Sequence, residues 1–326
     1  MKRWLRWIAI LATSLLVAGL LILHFYGANL AMGLIKQGDD ESGYEHPDIK
    51  LLDYSLAILI NPRNVDGYIG RGEARTRYKG DFDGAIADFT QAIQLDPASG
   101  INFLRRGDAK MGKLDFDSAI QDFDQGIKLY PEFGQLYHER GIAEQAQNKI
   151  PAAIGDFTHC IESNPRDRES YQSRAELEYI NGQFPLAQED FAKTVEIQPG
   201  VSYPQLMLWL VKYEEPAQRA KADKDLAAFV HGPDGHTDFW PAPIGRYLIG
   251  EIPEADFLKA AESHVSLNPK SDLYLANFFV ATKHYFAGDP ATAKAFLQKC
   301  RAMERPGMEK NLSLVNSWLV RLDGQK

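Results

Sequence analysis

Along this chain the apolar positions fall into three regimes. From Trp7 to Tyr26 they run almost without interruption, the polar members being Thr13, Ser14, Gly19, His24 and Tyr26. A helix of that length is about 30 Å long, the thickness of a bilayer's hydrocarbon core, so a transmembrane helix is predicted over 7–26. Trp4 and Trp7 before it and Phe25 and Tyr26 at its end stand where interfacial aromatic residues belong. A second regime, to about residue 200, consists of paired helical patterns that repeat. Beyond 200 the helices are less regular: one around Trp209, then 217–230 and 254–266, a hairpin at 274–303, and an amphipathic helix over 311–322 with Leu312, Val315, Leu319 and Leu322 on one face. This last helix is expected to cap the open end of the array. No strand pattern is read anywhere.

The repeat is visible in several columns at once. Prolines closing apolar stretches fall at 62, 97, 131, 165 and 199, one step of 35 followed by steps of 34. Ala85-Ile86-Ala87-Asp88-Phe89 returns as Ala119-Ile120-Gln121-Asp122-Phe123, Ala153-Ile154-Gly155-Asp156-Phe157 and Ala187-Gln188-Glu189-Asp190-Phe191. Arg71-Gly72, Arg106-Gly107, Arg140-Gly141 and Arg174-Ala175 keep the same frame. Small residues on the first helix and alanines on the second let the two helices approach closely, and each phenylalanine fills the space four residues on. Gly80-Asp81 and Gly182 mark the turns, and proline stops each second helix. One such hairpin cannot bury its apolar face alone, so neighbours must stack.

A period of 34 with two helices per unit resembles the tetratricopeptide repeat. That resemblance implies an all-α, right-handed superhelical solenoid, preceded here by one N-terminal transmembrane helix. The expected organisation is an anchor at 1–36, a linker and half-repeat at 37–62, four repeats at 63–200 and an irregular helical part with its capping helix at 201–326. The chain also resembles the NlpI-type repeat lipoproteins of bacterial envelopes, through Leu208-Trp209-Leu210, Tyr247-Leu248-Ile249-Gly250-Glu251-Ile252, and Gly288-Asp289 leading to Ala293-Lys294-Ala295-Phe296. It departs from them in having no cysteine before Cys160, hence no lipidated N-terminal cysteine. What that family implies is a scaffold or adaptor that brings peptidoglycan hydrolases and a protease to their targets.

Charge divides the chain further. Lys2, Arg3 and Arg6 precede the apolar run, which favours a cytoplasmic N-terminus and a body exported across the bacterial inner membrane. The alternative is a cleaved signal peptide and a periplasmic product, although the apolar run is long for one and Asn29 spoils a small-residue cleavage site ending at Ala31. Of 36 Lys and Arg against 44 Asp and Glu, four cations and no acids lie in residues 1–36, so the body holds 32 against 44, or −12. Such a surface argues against nucleic acid and favours a basic protein partner.

Candidate chemistry is sparse. Each repeat arginine is matched 16 or 17 residues later by Asp88, Asp122, Asp156 or Asp190, which predicts ion pairs within hairpins rather than a basic stripe. Cys160 and Cys300 fall in a small-residue column and are expected as unpaired packing residues. His231, Asp234, His236 and Asp238 have metal-binding side chains, but on a Gly/Pro loop without ligand spacing. A metal-dependent enzyme using that loop is the remote alternative. Asp81-Phe82-Asp83-Gly84 begins like a calcium loop without its twelfth-position Glu, and Gly67-x-x-Gly70-x-Gly72 has the wrong order for a dinucleotide site. No catalysis, metal or cofactor is predicted.

In tetratricopeptide proteins the concave face is lined by positions three before, one after and four after the small residue of the first helix. Here these are Ile69, Glu73 and Thr76; Leu104, Asp108 and Met111; His138, Ile142 and Gln145; and Gln172, Glu176 and Tyr179. The expected partners are therefore other proteins, envelope enzymes or subunits of a membrane complex, docked in a mildly acidic groove with apolar anchors. An assembly or chaperone role for an inner-membrane complex is the alternative, solvated helix faces are the plain reading of the same positions, and homo-oligomerisation is left open.

Overall fold

The computed structural model describes residues 33–34, 36, 47–232, 241–264, 269–303 and 309–324. The membrane helix expected at 7–26 and loop residues 233–238 lie outside the described residues. Among the described residues the fold is helical without strands, and no helix is long and apolar enough to cross a membrane. The chain divides into two compact units between Glu139 and Arg140, each taken by itself below.

The first unit begins with α1 (Pro47–Ile60), followed by the hairpins α2 (Val65–Ala74) with α3 (Phe82–Leu95) and α4 (Gly100–Gly112) with α5 (Phe116–Leu129), and by the start of α6 (Gly134–Ala146). Side-chain caps start several helices: Asn64 accepts from the Gly67 N–H, Asp81 from Gly84 and Asp115 from Ser118. Asp81 thus has a structural role, and the calcium-like beginning is a helix cap. Gly67 and Gly70 are close-approach positions: a Cβ on Gly70 would stand 2.2 Å from the Tyr54 ring of α1.

The step of 35 has a structural counterpart. Gly72 and Ala85 are 13 residues apart, whereas Gly107 and Ala119 are 12 apart. The extra residue is taken up by a π-helical turn over Arg75–Lys79, at the end of α2. Beyond that turn Phe89 re-enters register and packs on Gly72, where a Cβ would come within 2.7 Å of its ring.

The second unit continues with α7 (Ile150–Ser163), α8 (Arg168–Ile180) and α9 (Phe184–Ile197), then α10 (Ser202–Tyr213), α11 (Arg219–Val230), α12 (Ala242–Leu248), α13 (Glu254–Ser263), α14 (Pro269–Phe286), α15 (Pro290–Ala302) and α16 (Glu309–Asp323). Ala153, Phe157, Ala187 and Phe191 are fully buried, as the columns require. The irregular helices share one large core in which Leu206, Met207, Leu210, Phe257, Phe278 and Phe279 are buried. α14 and α15 form a hairpin with Ala281, Ala293, Leu297 and Cys300 inside and Gly288 left-handed at the turn. Cys160 and Cys300 are buried thiols with no disulfide between them, Cys160 donating to Asp167 Oδ2 at 2.9 Å, and burial pushes the Cys300 thiol up to about 12.

Candidate functional site

The repeat arginines resolve first, because their geometry decides whether they are available to a ligand. Each guanidinium makes a two-pronged contact with its carboxylate: Arg71 with Asp88 at 3.0 and 2.6 Å, Arg106 with Asp122 at 2.8 and 2.6 Å, Arg140 with Asp156 at 2.8 and 2.7 Å, and Arg174 with Asp190 at 2.6 and 2.8 Å. All four aspartates are buried. A buried carboxylate needs such a partner, so the arginines are structural.

Two further columns surround these pairs and were not anticipated. Within the first unit the remaining guanidinium arm of Arg71 reaches Ser55 Oγ at 3.4 Å and that of Arg106 reaches Thr90 Oγ1 at 3.3 Å; in the second unit Arg174 reaches Thr158 Oγ1 at 3.0 Å. Each hydroxyl donates to the carbonyl four residues back on its own helix, so the preceding second helix is tied to the next pair. The position four after each arginine differs between units. Arg75 Nη1 and Lys110 Nζ give Asp88 and Asp122 a second cation at 2.6 and 2.7 Å. In the second unit the corresponding residues are Glu144 and Glu178. Glu178 is buried, 3.9 Å from Arg174, and its carboxyl rises to about 7, chiefly by loss of water and then by the adjacent Asp190 charge.

The expected groove residues behave differently in the two units. In the first, Glu73 and Asp108 are exposed, Ile69, Thr76, Met111 and His138 are half-buried, and Leu104 is buried at 5% exposure. Glu73 pairs with Arg105 at 2.5 Å. Asp108 keeps a solvent-facing surface, yet atoms crowded around its carboxyl strip away water and raise it to about 6, with Arg105 opposing the shift.

In the second unit Ile142 and Gln172 are half-buried, while Gln145, Glu176 and Tyr179 are inside the protein. Gln172 donates to Glu176 at 3.0 Å, and the Tyr179 hydroxyl donates to Glu214 Oε1 at 2.6 Å. Tyr179 is therefore not an exposed anchor. The reason is α16, which packs on α8 as well as on α15 instead of only capping the far end. Trp318 of α16 enters a ring of aromatic side chains, with centroids 5.0 Å from Tyr285, 6.0 Å from Phe286, 6.4 Å from Phe278 and 6.5 Å from Tyr179. Arg321 closes the contact with two 2.6 Å hydrogen bonds to the buried carboxylate of Glu214. Glu214, Trp318 and Arg321 were not singled out from sequence; the amphipathic pattern of 311–322 signalled a docked helix but not its dock.

Beside this contact lies a cavity of about 560 Å³ lined by Gln145, Asn148, Ile180, Ser313, Asn316 and Ser317 among others. Among the described residues the buried Gln145 amide has no hydrogen-bond partner. Of the loop with metal-binding side chains, His231 is described: its Nε2 lies 2.6 Å from Glu251 Oε1 on the surface.

Comparison with known proteins follows the same outline. A tetratricopeptide repeat family model matches residues 67–99. No curated protein matches the sequence. Among solved structures, the chain is similar to a tetratricopeptide repeat protein from Parabacteroides merdae, at 15% identity and a TM-score of 0.54, over 78% of this chain and 98% of that one. PilF of Pseudomonas aeruginosa aligns at 13% identity and a TM-score of 0.53, covering 65% and 97%. YrrB, described as a TPR protein with an unusual peptide-binding site, aligns at 20% identity and a TM-score of 0.47, covering 58% and 95%. Likeness at these identities concerns the fold.

Proposed function

This is a tetratricopeptide repeat protein, and from that premise we propose that it is a membrane-anchored, periplasm-facing scaffold whose first-helix faces dock segments of other proteins. The observation that carries the docking reading is internal to the second unit. There the inner face of α8 already holds a helix of the same chain, with Trp318 as its aromatic anchor and Arg321 as its charged latch. The equivalent positions of the first unit leave Glu73 and Asp108 exposed beside Ile69, Thr76 and Met111. A helix or extended segment with one large apolar side chain and basic neighbours is the complementary partner. Asp108 is ionised above about pH 6, so such a partner binds more tightly at pH 7.5 than at pH 5.

The location rests on the sequence of residues 1–26 and on the resemblance to envelope repeat proteins. The same resemblance makes cell-wall hydrolases or a protease the partners to look for. A phosphatase fused after residue 324 is active in intact cells if the body is exported, and inactive fusions would refute the orientation. A photo-crosslinking residue in place of Met111 should capture a partner that is lost when Glu73→Lys and Asp108→Lys are introduced together. Both acids are on exposed positions but lie near Arg105, so circular dichroism checks that the double variant is folded. Unchanged capture refutes this surface as the docking face.

A further inference from the structure

The cavity beside α16 has no part in the docking face on α2 and α4, and its walls have a chemistry of their own. At about 560 Å³ it falls within the roughly 300–1,000 Å³ of small-molecule sites. Three pieces of the second unit build it: Gln145 and Asn148 at the end of α6 and in its turn, Ile180 at the end of α8, and Ser313, Asn316 and Ser317 along α16. On α16 Leu314, Val315, Trp318 and Leu319 are buried, so the polar stripe lining the cavity is separate from the stripe that docks the helix. A quarter of the chain's residues are charged, yet among the described residues no charged side chain lines this cavity. Asn148 and Asn316 are exposed, whereas Gln145 is 2% exposed and neither atom of its carboxamide is hydrogen-bonded among the described residues. Leaving a buried carboxamide without partners is costly, so its presence calls for a group that completes it.

These walls select their ligand. They offer no cation to a phosphate or carboxylate and no acid to an amine. A purely apolar ligand would leave the Gln145 carboxamide as unpaired as before. The closest complement of a carboxamide is another amide, whose N–H and C=O meet its oxygen and its nitrogen, and Gln145, Asn148 and Asn316 offer that pairing three times. Ser317 donates its own proton to the Leu314 carbonyl at 2.7 Å, so its lone pairs are left to accept from a hydroxyl. An extended peptide also carries amides, but its recognition needs pockets for alternate side chains, and the apolar lining here is only Ala146, Ile180 and Val320. An acetamido sugar combines the amide with a rim of hydroxyls and brings no side chains. We propose that this cavity binds an uncharged oligosaccharide carrying acetamido groups. An acetamido group pairs with Gln145 and Asn316, ring hydroxyls meet Asn148, Ser313 and Ser317, and a ring's C–H face rests on Ile180.

The test is titration of the full-length protein, in a detergent without sugar headgroups, with N,N′-diacetylchitobiose, read by saturation-transfer NMR. Binding should be detected by about 10 mM. Cellobiose, which has hydroxyls in place of the acetamido groups, should bind at least tenfold more weakly. Asn316→Leu, at an exposed position, and Gln145→Leu, which removes the unpaired carboxamide, should each weaken diacetylchitobiose binding at least tenfold. Circular dichroism confirms that each variant is folded, and Asn316→Leu decides the matter if Gln145→Leu is not. No saturation transfer to diacetylchitobiose, equal binding of cellobiose, or binding unchanged by Asn316→Leu overturns the proposal. So does tighter binding of the capped peptide acetyl-Ala-Ser-Ala-amide with the same loss in Asn316→Leu, because the cavity is then a peptide site. Partner capture at Met111 reads the first-unit face separately, so either reading can fail without the other.

Discussion

Arg106 and Arg174 occupy the same position in two repeats and make the same contacts, yet their loss should not cost the same. Each holds a buried aspartate in a two-pronged grip, each reaches the hydroxyl of the preceding second helix, and each lies over an aromatic ring three residues back, Phe103 or Tyr171, at 5.7 Å. They differ in what remains. Arg106→Ala leaves Asp122 with Lys110 at 2.7 Å, so the carboxylate keeps a counter-charge and the loss is that of charge-assisted hydrogen bonds, roughly 2 kcal/mol. Arg174→Ala leaves Asp190 beside Glu178, an acid already pushed up to about 7, and strands a buried charge at roughly 4 kcal/mol. Free energy is the quantity to compare, because a smaller unit shifts its Tm further per kcal/mol. Hydrogen-exchange mass spectrometry provides it locally: protection in α4 and α5 should fall about 30-fold for Arg106→Ala, and that in α8 and α9 about 1000-fold for Arg174→Ala. Adding Glu178→Lys to Arg174→Ala copies the Lys110 arrangement and should recover roughly 2 kcal/mol. Equal losses for the two alanine variants, or no recovery with Glu178→Lys, would refute the reasoning.

Glu178→Gln alone should stabilise the second unit at pH 8 by roughly 1–3 kcal/mol and do little at pH 5, measured by urea unfolding through Trp209 and Trp318 fluorescence. The sign follows from the raised pKa: the folded state holds the Glu178 proton up to about pH 7 and the unfolded chain releases it near 4.5, so wild-type stability declines as pH rises across that window. Gly107→Ala should cost about 1–3 kcal/mol, since its Cβ would stand 2.4 Å from the Phe123 ring, whereas Gly155→Ala has open space on a helix surface and should gain about 0.5–1 kcal/mol in thermal melts. Arg321→Ala removes both guanidinium bonds to buried Glu214; limited proteolysis should then release α16 several-fold faster while α8 and α9 stay protected.

The 34-residue columns determined the hairpins, the close-packed Gly, Ala and Phe positions and the Arg–Asp pairs, because each is a short-range consequence of residues 12 to 17 apart on two adjoining helices. Even the single step of 35 was written in the proline spacing, although the chain's answer to it, a π turn at Arg75–Lys79, needed the backbone. What the columns could not decide was which faces stay open. Gln145, Glu176 and Tyr179 occupy the register of binding positions, and only packing by helices further along the chain, with Trp318 of α16 on Tyr179 and with Tyr203 and Tyr274 against Glu176, turns that stretch into core. The sign of the residue beside each buried aspartate was likewise present in the sequence, as Arg75, Lys110, Glu144 and Glu178. It acquired meaning only when folding placed a cation on Asp122 and an acid beside Asp190. Local periodicity settles what each helix buries against its neighbour, whereas long-range packing settles which surfaces are left for a partner.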